Sequence, residues 1–294
     1  MTKILQIGTK GQLGWELLST CAPLGEVVAL DYPDVDLSDS AGLRELVRSV
    51  KPEIIINAAA YTNVDKAESE PEKARAINAT GPGILAEEAK KVNAVLVHYS
   101  TDYVFDGTKD SPYVETDLPN PLNVYGQTKL EAEQAIAASG CVNLVLRTSW
   151  VFSMRQGGFV TKVLQWARAQ EVMRVVDDQI SSPTSARMLA EITTLILAQG
   201  REDVFGYLSK KSGLYHCAGG GSCSRYDWAK AILEYDPHKE EQVVKQLLPA
   251  KSSEFPVPAN RPMVSVLECR KLFSTFGLRQ PTWEESLRLT TEIA

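Results

Sequence analysis

Residues 124–133 read VYGQTKLEAE and set a phenol, Tyr125, four places before an ammonium, Lys129. A helix puts positions i and i+4 on one face, so the two groups can share one pocket. They can equally be two surface residues, with Lys129 pairing to Glu133 at the next i+4 step. A second stretch, GTKGQLG, spaces Gly8, Gly11 and Gly14 as G-x-x-G-x-x-G directly after an apolar run. Glycines in such a turn let the backbone approach a pyrophosphate, which then sits at the positive N-terminus of the following helix. No G-K-[ST] follows, so the turn is not a P-loop.

Further candidates stand at the ends of other apolar runs. Asp31 closes the run in VVALDYPDVDL, where an acid accepts from a ribose 2′-OH and repels a 2′-phosphate. Asp31, Asp34 and Asp36 read equally well as a solvated acidic loop. In NAAAY, the small residues Ala58, Ala59 and Ala60 would let a flat ring or ribose lie against the backbone, or would serve close helix–sheet packing. HYSTDYVFDG brings the hydroxyls of Ser100 and Thr101 to a similar edge, as ligand contacts or as turn residues.

The elements that must position these residues follow from the pattern. KILQIG, EVVALD, EIIINAAA, AVLVHYS and CVNLVLRTSW are short apolar strands. Between them GWELLSTCAPLG, SAGLRELVRSV, PEKARAINATGPGILAEEAKKV and YGQTKLEAEQAIAAS have helical spacing. Continuous apolar strands alternating with helices imply a parallel sheet covered on both faces, an α/β doubly wound Rossmann-type fold. After about Trp150 the alternation fades. PTSARMLAEITTLILA is a helix with Ser182 or Thr184 near its N-cap and Pro183 in its first turn. GLYHCAG is a strand, SRYDWAKAILEY a helix, and KSSEFPVPANRPM a loop. The division expected is a dinucleotide-binding domain over 1–150, joined by the 183–199 helix, and a smaller, irregular, mainly substrate-binding lobe over 151–294.

Composition removes several classes. The 294 residues carry a net charge of −6, which argues against nucleic acid as partner. No run of eighteen apolar residues spans a membrane, and MTKILQIG is too short to be a signal-peptide core. Five scattered cysteines fit reduced thiols in the cytoplasm, and the dispersed His98, His216 and His238 form no metal-ligand pattern.

As a set, GTKGQLG, DVDL, NAAAYTNVDKAE, YSTDYVFDG, NVYGQTKLEAE and RTSW resemble the extended short-chain dehydrogenase/reductases, and among them the dTDP-4-dehydrorhamnose reductases. The likeness is dense to about Trp150 and thinner through DQISSPT, GLYHCAGGGSCSRYDWA and RPMVSVL. It implies NADPH or NADH as cofactor, a dTDP-linked deoxyhexose as substrate, and a monomer or homodimer. It makes Tyr125 the general acid, Lys129 its electrostatic partner and holder of the nicotinamide ribose, and Thr101 the hydroxyl that polarises the substrate carbonyl. A phenol titrates near about 10, and a neighbouring ammonium favours its phenolate and lowers that value. Carried over by position, Gly8, Lys10, Gly11, Gln12 and Leu13 meet the pyrophosphate, and Asp31, Asp36 and Leu37 the adenosine end. Ala58, Ala59, Ala60 and Tyr99 line the rest of the groove. Asp102 and Trp150 are the implied substrate contacts, with Arg261 on the nucleotide diphosphate, where a guanidinium donates a bidentate pair.

Some positions depart from the family pattern: Val264 before the serine of RPMVSVL, Glu268 after its leucine, and Ser181 in DQISSPT where glycine is usual. Some relatives bridge a dimer through magnesium at acids that include the equivalent of Glu16. Partner acids near Glu202 and Asp203 cannot be aligned, because QGREDVFGYLSKKSG reads as inserted. A first-turn glutamate also suits the helix dipole. Magnesium is an option the motifs allow but do not require, and no metal site is expected. Two other readings stay open: a non-catalytic relative, like the regulatory beta subunit of methionine adenosyltransferase, or a nucleotide-sugar epimerase or dehydratase of the same class. An intact Thr101–Tyr125–Lys129 set favours an enzyme.

Overall fold

The computed structural model describes residues 2–155 and 157–292. Its first half alternates strand and helix: β1 (Thr2–Ile7), α1 (Gln12–Cys21), β2 (Gly25–Leu30), α2 (Ser40–Val50) and β3 (Ile54–Asn57). Then come α3 (Val64–Ser69), α4 (Pro71–Arg75), α5 (Gly81–Val92), β4 (Val95–Thr101), α6 (Val124–Ser139) and β5 (Asn143–Thr148). The second half holds β6 (Val151–Phe152), α7 (Phe159–Ala169), β7 (Val172–Val176), β8 (Ile180–Ser181), β9 (Thr184–Ser185) and α8 (Ala186–Gln199). It ends with α9 (Val204–Ser209), β10 (Gly213–His216), β11 (Cys223–Ser224), α10 (Arg225–Glu234), β12 (Gln246–Ala250), α11 (Arg270–Phe276) and α12 (Trp283–Glu292).

The main sheet runs β10-β5-β4-β3-β1-β2, with every neighbouring pair parallel. Its middle strands bury both faces, which is why β3 and β4 each open on a run of apolar residues. One face packs on α1 and α8 through Leu13, Leu17, Leu189 and Ile196. The other packs on α2, α5 and α6 through Leu43, Val47, Leu85 and Ile136. Strand order reverses between β1 and β3, so a crevice opens at their carboxyl ends, the place where such sheets bind ligands.

The run predicted as one helix over 71–92 contains a wider turn. Ala76–Thr80 is π-helical, and the Gly81 N–H donates to Ala76, five residues back. Pro82 explains it: proline has no N–H to give four residues back, and its ring would crowd that carbonyl. The bulge turns Asn78 inward. Its amide accepts from the Tyr61 N–H at 2.7 Å and donates to the Tyr61 carbonyl and to Thr128, so the loop after β3 is tied to α6.

One expectation for the second half needs correction. The 183–199 helix begins at Ala186, with Ser185 at its N-cap, because Thr184–Ser185 pair in parallel with Val151–Phe152 and hold those residues extended. The stretch QGREDVFGYLSKKSG, read as inserted, packs onto the main sheet and leads into its last strand. Asp203 caps α9, and β10 adds the sixth parallel strand beside β5. Leu208, Tyr215, Leu272 and Phe276 join the main core. A separate core forms around Trp228, Phe152, Val160, Val163 and Leu287, from α7, α10 and α12 with the β7/β12 pair beside them.

Candidate active site

A cleft of about 1360 Å³ follows the carboxyl ends of β1, β3 and β4 and the start of α6. Every catalytic, cofactor and substrate residue carried over from the family likeness lines it except Arg261.

The turn after β1 shows why two of its glycines are needed. Gly8 has φ +92, and a Cβ there would lie 2.5 Å from the Ala59 nitrogen. A Cβ on Gly14 would lie 1.8 Å from the Gly8 carbonyl oxygen. Gly11 caps α1 without any side-chain acceptor for the first-turn N–H groups, which leaves them for an anion. Lys10 and Asp31 brace the turn: the Lys10 N–H donates to Asp31 at 2.7 Å, and the Lys10 ammonium donates to the Tyr32 carbonyl at 2.8 Å. Gln12 binds the Ser153 hydroxyl at 2.9 Å, so this turn also meets the segment after β6. Asp36 is engaged by Ser38, whose hydroxyl and N–H hold its carboxyl below the usual range. Leu37, Ala58, Ala59 and Ala60 form apolar wall. The Tyr99 hydroxyl is turned away to Thr193 on α8, at 2.9 Å.

The other end of the cleft is polar and buried. Asn123 caps α6 by accepting from the Gly126 N–H at 2.8 Å, which sets Tyr125 and Lys129 on the helix face toward β4. Gly126 packs beneath Tyr103, where a Cβ would come within 2.2 Å of the carbonyl oxygen. Thr101 lies against the Tyr125 phenol, and its hydroxyl donates to Asp102 at 3.1 Å. Asp102 also accepts from Ser265 at 2.6 Å and Ser181 at 3.1 Å. Ser181, a departure from the family pattern, thereby becomes a hydrogen-bond donor to a predicted substrate contact.

Electrostatics in this corner differ from expectation. Burial pushes the Tyr125 phenol well above its ordinary value, with the neighbouring Asp102 and Tyr103 adding to the rise and Thr101 opposing it. Lys129 is not among the groups that shift the phenol; its own burial lowers it to about 8, with Glu133 opposing. Its amine is turned to His98, at 3.0 Å. Burial likewise raises Asp102 to about 6. Glu133 is held by Arg147 through two contacts of 2.8 and 2.6 Å, a buried pair that locks α6 to β5.

Trp150 reaches the cleft from a backbone at φ 44, a strained conformation for a bulky residue. Stacking holds it there: Trp228 lies parallel at 5.5 Å, and the Arg225 guanidinium sits 3.5 Å from its ring centre. Arg225 was missed in the sequence, where nothing separates it from other helix-start arginines. Its charge acts on Tyr103 and Asp102, and it forms no ion pair among the described residues. Arg155 and Met154 also line the cleft from an irregular segment whose sequence carries no signal. Arg261 instead pairs with Asp65 on α3. Glu16 meets Arg187 at 3.5 Å.

These residues suit a dinucleotide. The glycine turn leaves backbone exposed to a pyrophosphate, and the buried Thr148 hydroxyl at the cleft has no partner among the described residues. A family model, the RmlD substrate binding domain, matches residues 1–293. The chain belongs to the RmlD family. Within the RmlD family, a dTDP-4-dehydrorhamnose reductase of Burkholderia thailandensis is 42% identical over 291 residues, covering 98% of this chain and 97% of its own. The crystal structure of a dTDP-4-dehydrorhamnose reductase from Clostridium acetobutylicum is 35% identical, with a TM-score of 0.91 over 99% of each chain. The dTDP-4-dehydrorhamnose reductase of Bacillus anthracis, solved in complex with NADP, is 32% identical, with a TM-score of 0.89 over 100% of both chains. In this RmlD family member, no helix among the described residues is long and apolar enough to cross a membrane.

Proposed function

We propose that this chain reduces the 4-keto group of dTDP-4-dehydro-L-rhamnose to dTDP-L-rhamnose, using NADPH or NADH. One observation carries the reading: Thr101, Tyr125 and Lys129 meet in the cleft whose far end is the glycine-rich turn. The cofactor supplies the hydride that goes to sugar C4. Tyr125 donates its proton to the oxygen on C4, and burial keeps the phenol protonated until then. Thr101 turns its hydroxyl from Asp102 to the same oxygen and polarises the carbonyl. Lys129 steadies the phenolate left behind and holds the nicotinamide ribose.

At the far end, Gly8, Lys10, Gly11, Gln12 and Leu13 cradle the pyrophosphate, with Asp31, Asp36 and Leu37 at the adenosine. Ala58, Ala59, Ala60 and Tyr99 form the groove between. Trp150 and Asp102 contact the sugar, and Arg261, with Arg225 behind Trp150, faces the nucleotide diphosphate. Residues 1–150 with the 183–199 helix serve the cofactor, and 151–294 mainly the substrate. Five free cysteines suit the cytoplasm, with the protein a monomer or homodimer.

The test is the oxidation of NADPH and of NADH with dTDP-4-dehydro-L-rhamnose. Turnover is expected with both. Cofactor binding without oxidation of either would reject the reductase.

A further inference from the structure

Three buried groups stand in a row beside the cleft. The Lys129 Nζ lies 3.0 Å from His98 Nε2, and His98 Nδ1 lies 3.2 Å from the Asn57 amide nitrogen. The other end of that amide, Oδ1, accepts from the Ala59 N–H at 3.1 Å. His98 is 0% exposed, Asn57 1% and Lys129 2%, so the row must satisfy its own donors and acceptors.

A proton count shows that all three contacts cannot coexist with a charged Lys129. An ammonium has donors only, so His98 Nε2 must accept from it. The neutral ring then carries its one proton on Nδ1, facing Asn57. A doubly protonated ring is excluded, because burial and the Lys129 charge hold His98 well below its ordinary value. The Nδ1–H needs an acceptor, so Asn57 must make a half-turn of its amide and present Oδ1. The amide NH2 then faces the Ala59 N–H, donor against donor, and that N–H loses its acceptor. Keeping Oδ1 on the Ala59 N–H demands the other tautomer. Nδ1 then accepts from Asn57, Nε2–H donates, and Lys129 is a neutral amine offering its lone pair.

We propose that His98 is a tautomeric link between Lys129 and the cofactor groove. A charged Lys129 puts the imidazole proton on Nδ1, turns Asn57, and frees the Ala59 N–H. A neutral Lys129 puts that proton on Nε2 and leaves the Ala59 N–H tied to Asn57. Ala59 lines the groove, directly beneath Gly8. A ligand oxygen that takes the Ala59 N–H therefore favours the charged lysine, and a charged lysine favours that ligand to the same degree. Taking NADPH or NADH as this ligand rests on the function proposed above, whereas the link within the chain does not.

Few other charges bear on the row. Tyr125 and Glu133 lie one turn to either side of Lys129 on α6, and Glu133 is bound by Arg147 and Ser100. Beyond β4 stands Asp102 in contact with Thr101, while β3 offers the neutral Asn57 and the π-turn the neutral Asn78. Burial outweighs Glu133 and brings Lys129 to about 8, so its charge changes within an accessible range.

The experiment is nitrogen-15 NMR of the histidine rings, which identifies the nitrogen that carries the proton. The chain has three histidines, and His98 is assigned by loss of its signals in His98→Gln. If that variant does not fold, His216→Gln and His238→Asn each remove one of the other two rings and leave His98 by elimination. The expected result is Nδ1–H well below the Lys129 transition and Nε2–H well above it, with no exchange in Lys129→Met. Above the transition, adding NADPH or NADH is expected to return His98 to Nδ1–H. A single tautomer throughout, a doubly protonated ring, or a switch that survives in Lys129→Met would overturn the link. Cofactor binding that leaves the tautomer unmoved would overturn its connection to Ala59. A pH-driven switch in a chain that binds neither cofactor would uphold the link and reject the proposed function.

Discussion

Arg261 forks onto Asp65, its two terminal nitrogens meeting the two carboxylate oxygens at 3.0 and 2.7 Å. The guanidinium holds the Asp65 carboxyl below its usual range, and the same arginine donates to the Ala259 carbonyl. The proline-flanked loop is thus clamped to α3. In the proposed role, a substrate diphosphate would compete with Asp65 for this arginine. Arg261→Ala is therefore expected to weaken dTDP binding by about one power of ten, while Asp65→Asn, which releases the guanidinium, strengthens it. Calorimetric titration with dTDP separates the cases. Equal losses in both variants would make the pair a clamp alone.

Tyr125→Phe removes the proposed proton donor and little else, since the ring still packs edge-on against Tyr103 at 6.0 Å. Turnover should fall by roughly 10²–10⁴-fold with cofactor affinity unchanged. Near-normal turnover, followed by NADPH absorbance, would remove Tyr125 from its role.

Asp102 gives a stability prediction with a definite sign. Its folded-state value, about 6, lies above the ordinary 3.8. The folded chain therefore binds more protons between those values, and stability falls as pH rises through them. In Asp102→Asn this loss is absent. The unfolding free energy of wild type relative to Asp102→Asn should drop by up to about 3 kcal/mol between roughly pH 4 and pH 7. Urea unfolding at several pH values measures it, and a flat difference would show that Asp102 is not buried as described.

Asp31 braces the glycine turn and, as the proposed contact for the adenosine ribose, would repel a 2′-phosphate, so Asp31→Ala acts twice. Loosening the turn affects both cofactors alike and cancels in their ratio. The kcat/KM ratio of NADPH to NADH should rise. A shift toward NADH would mean that Asp31 does not face the ribose.

The parts legible in the sequence were those fixed by local pattern. The apolar runs of β1, β3 and β4 have no other way to bury themselves, and the glycines of GTKGQLG sit where backbone meets backbone at Ala59 and Gly8. Tyr125 and Lys129 needed only one helix face. What stayed hidden depends on distant partners. Arg225 matters because Trp150 lies under it, 75 residues earlier in the chain, and no periodicity records that contact. His98 reads as one more residue of a buried strand until Asn57 and Lys129 are seen on either side. The π-turn and the late start of α8 were missed because each reflects competition, one with a proline and the other with a strand pairing.

The sixth strand of the main sheet, β10, has a consequence for biosynthesis. Until residues 213–216 leave the ribosome, β5 is an open sheet edge carrying Leu144, Val145 and Leu146. Such an edge invites pairing with another chain. A nascent chain halted near residue 150 would thus be sticky and incomplete, and a gene cut there would yield aggregates instead of a cofactor-binding fragment. The polypeptide must be made almost three-quarters of the way before its main sheet is complete.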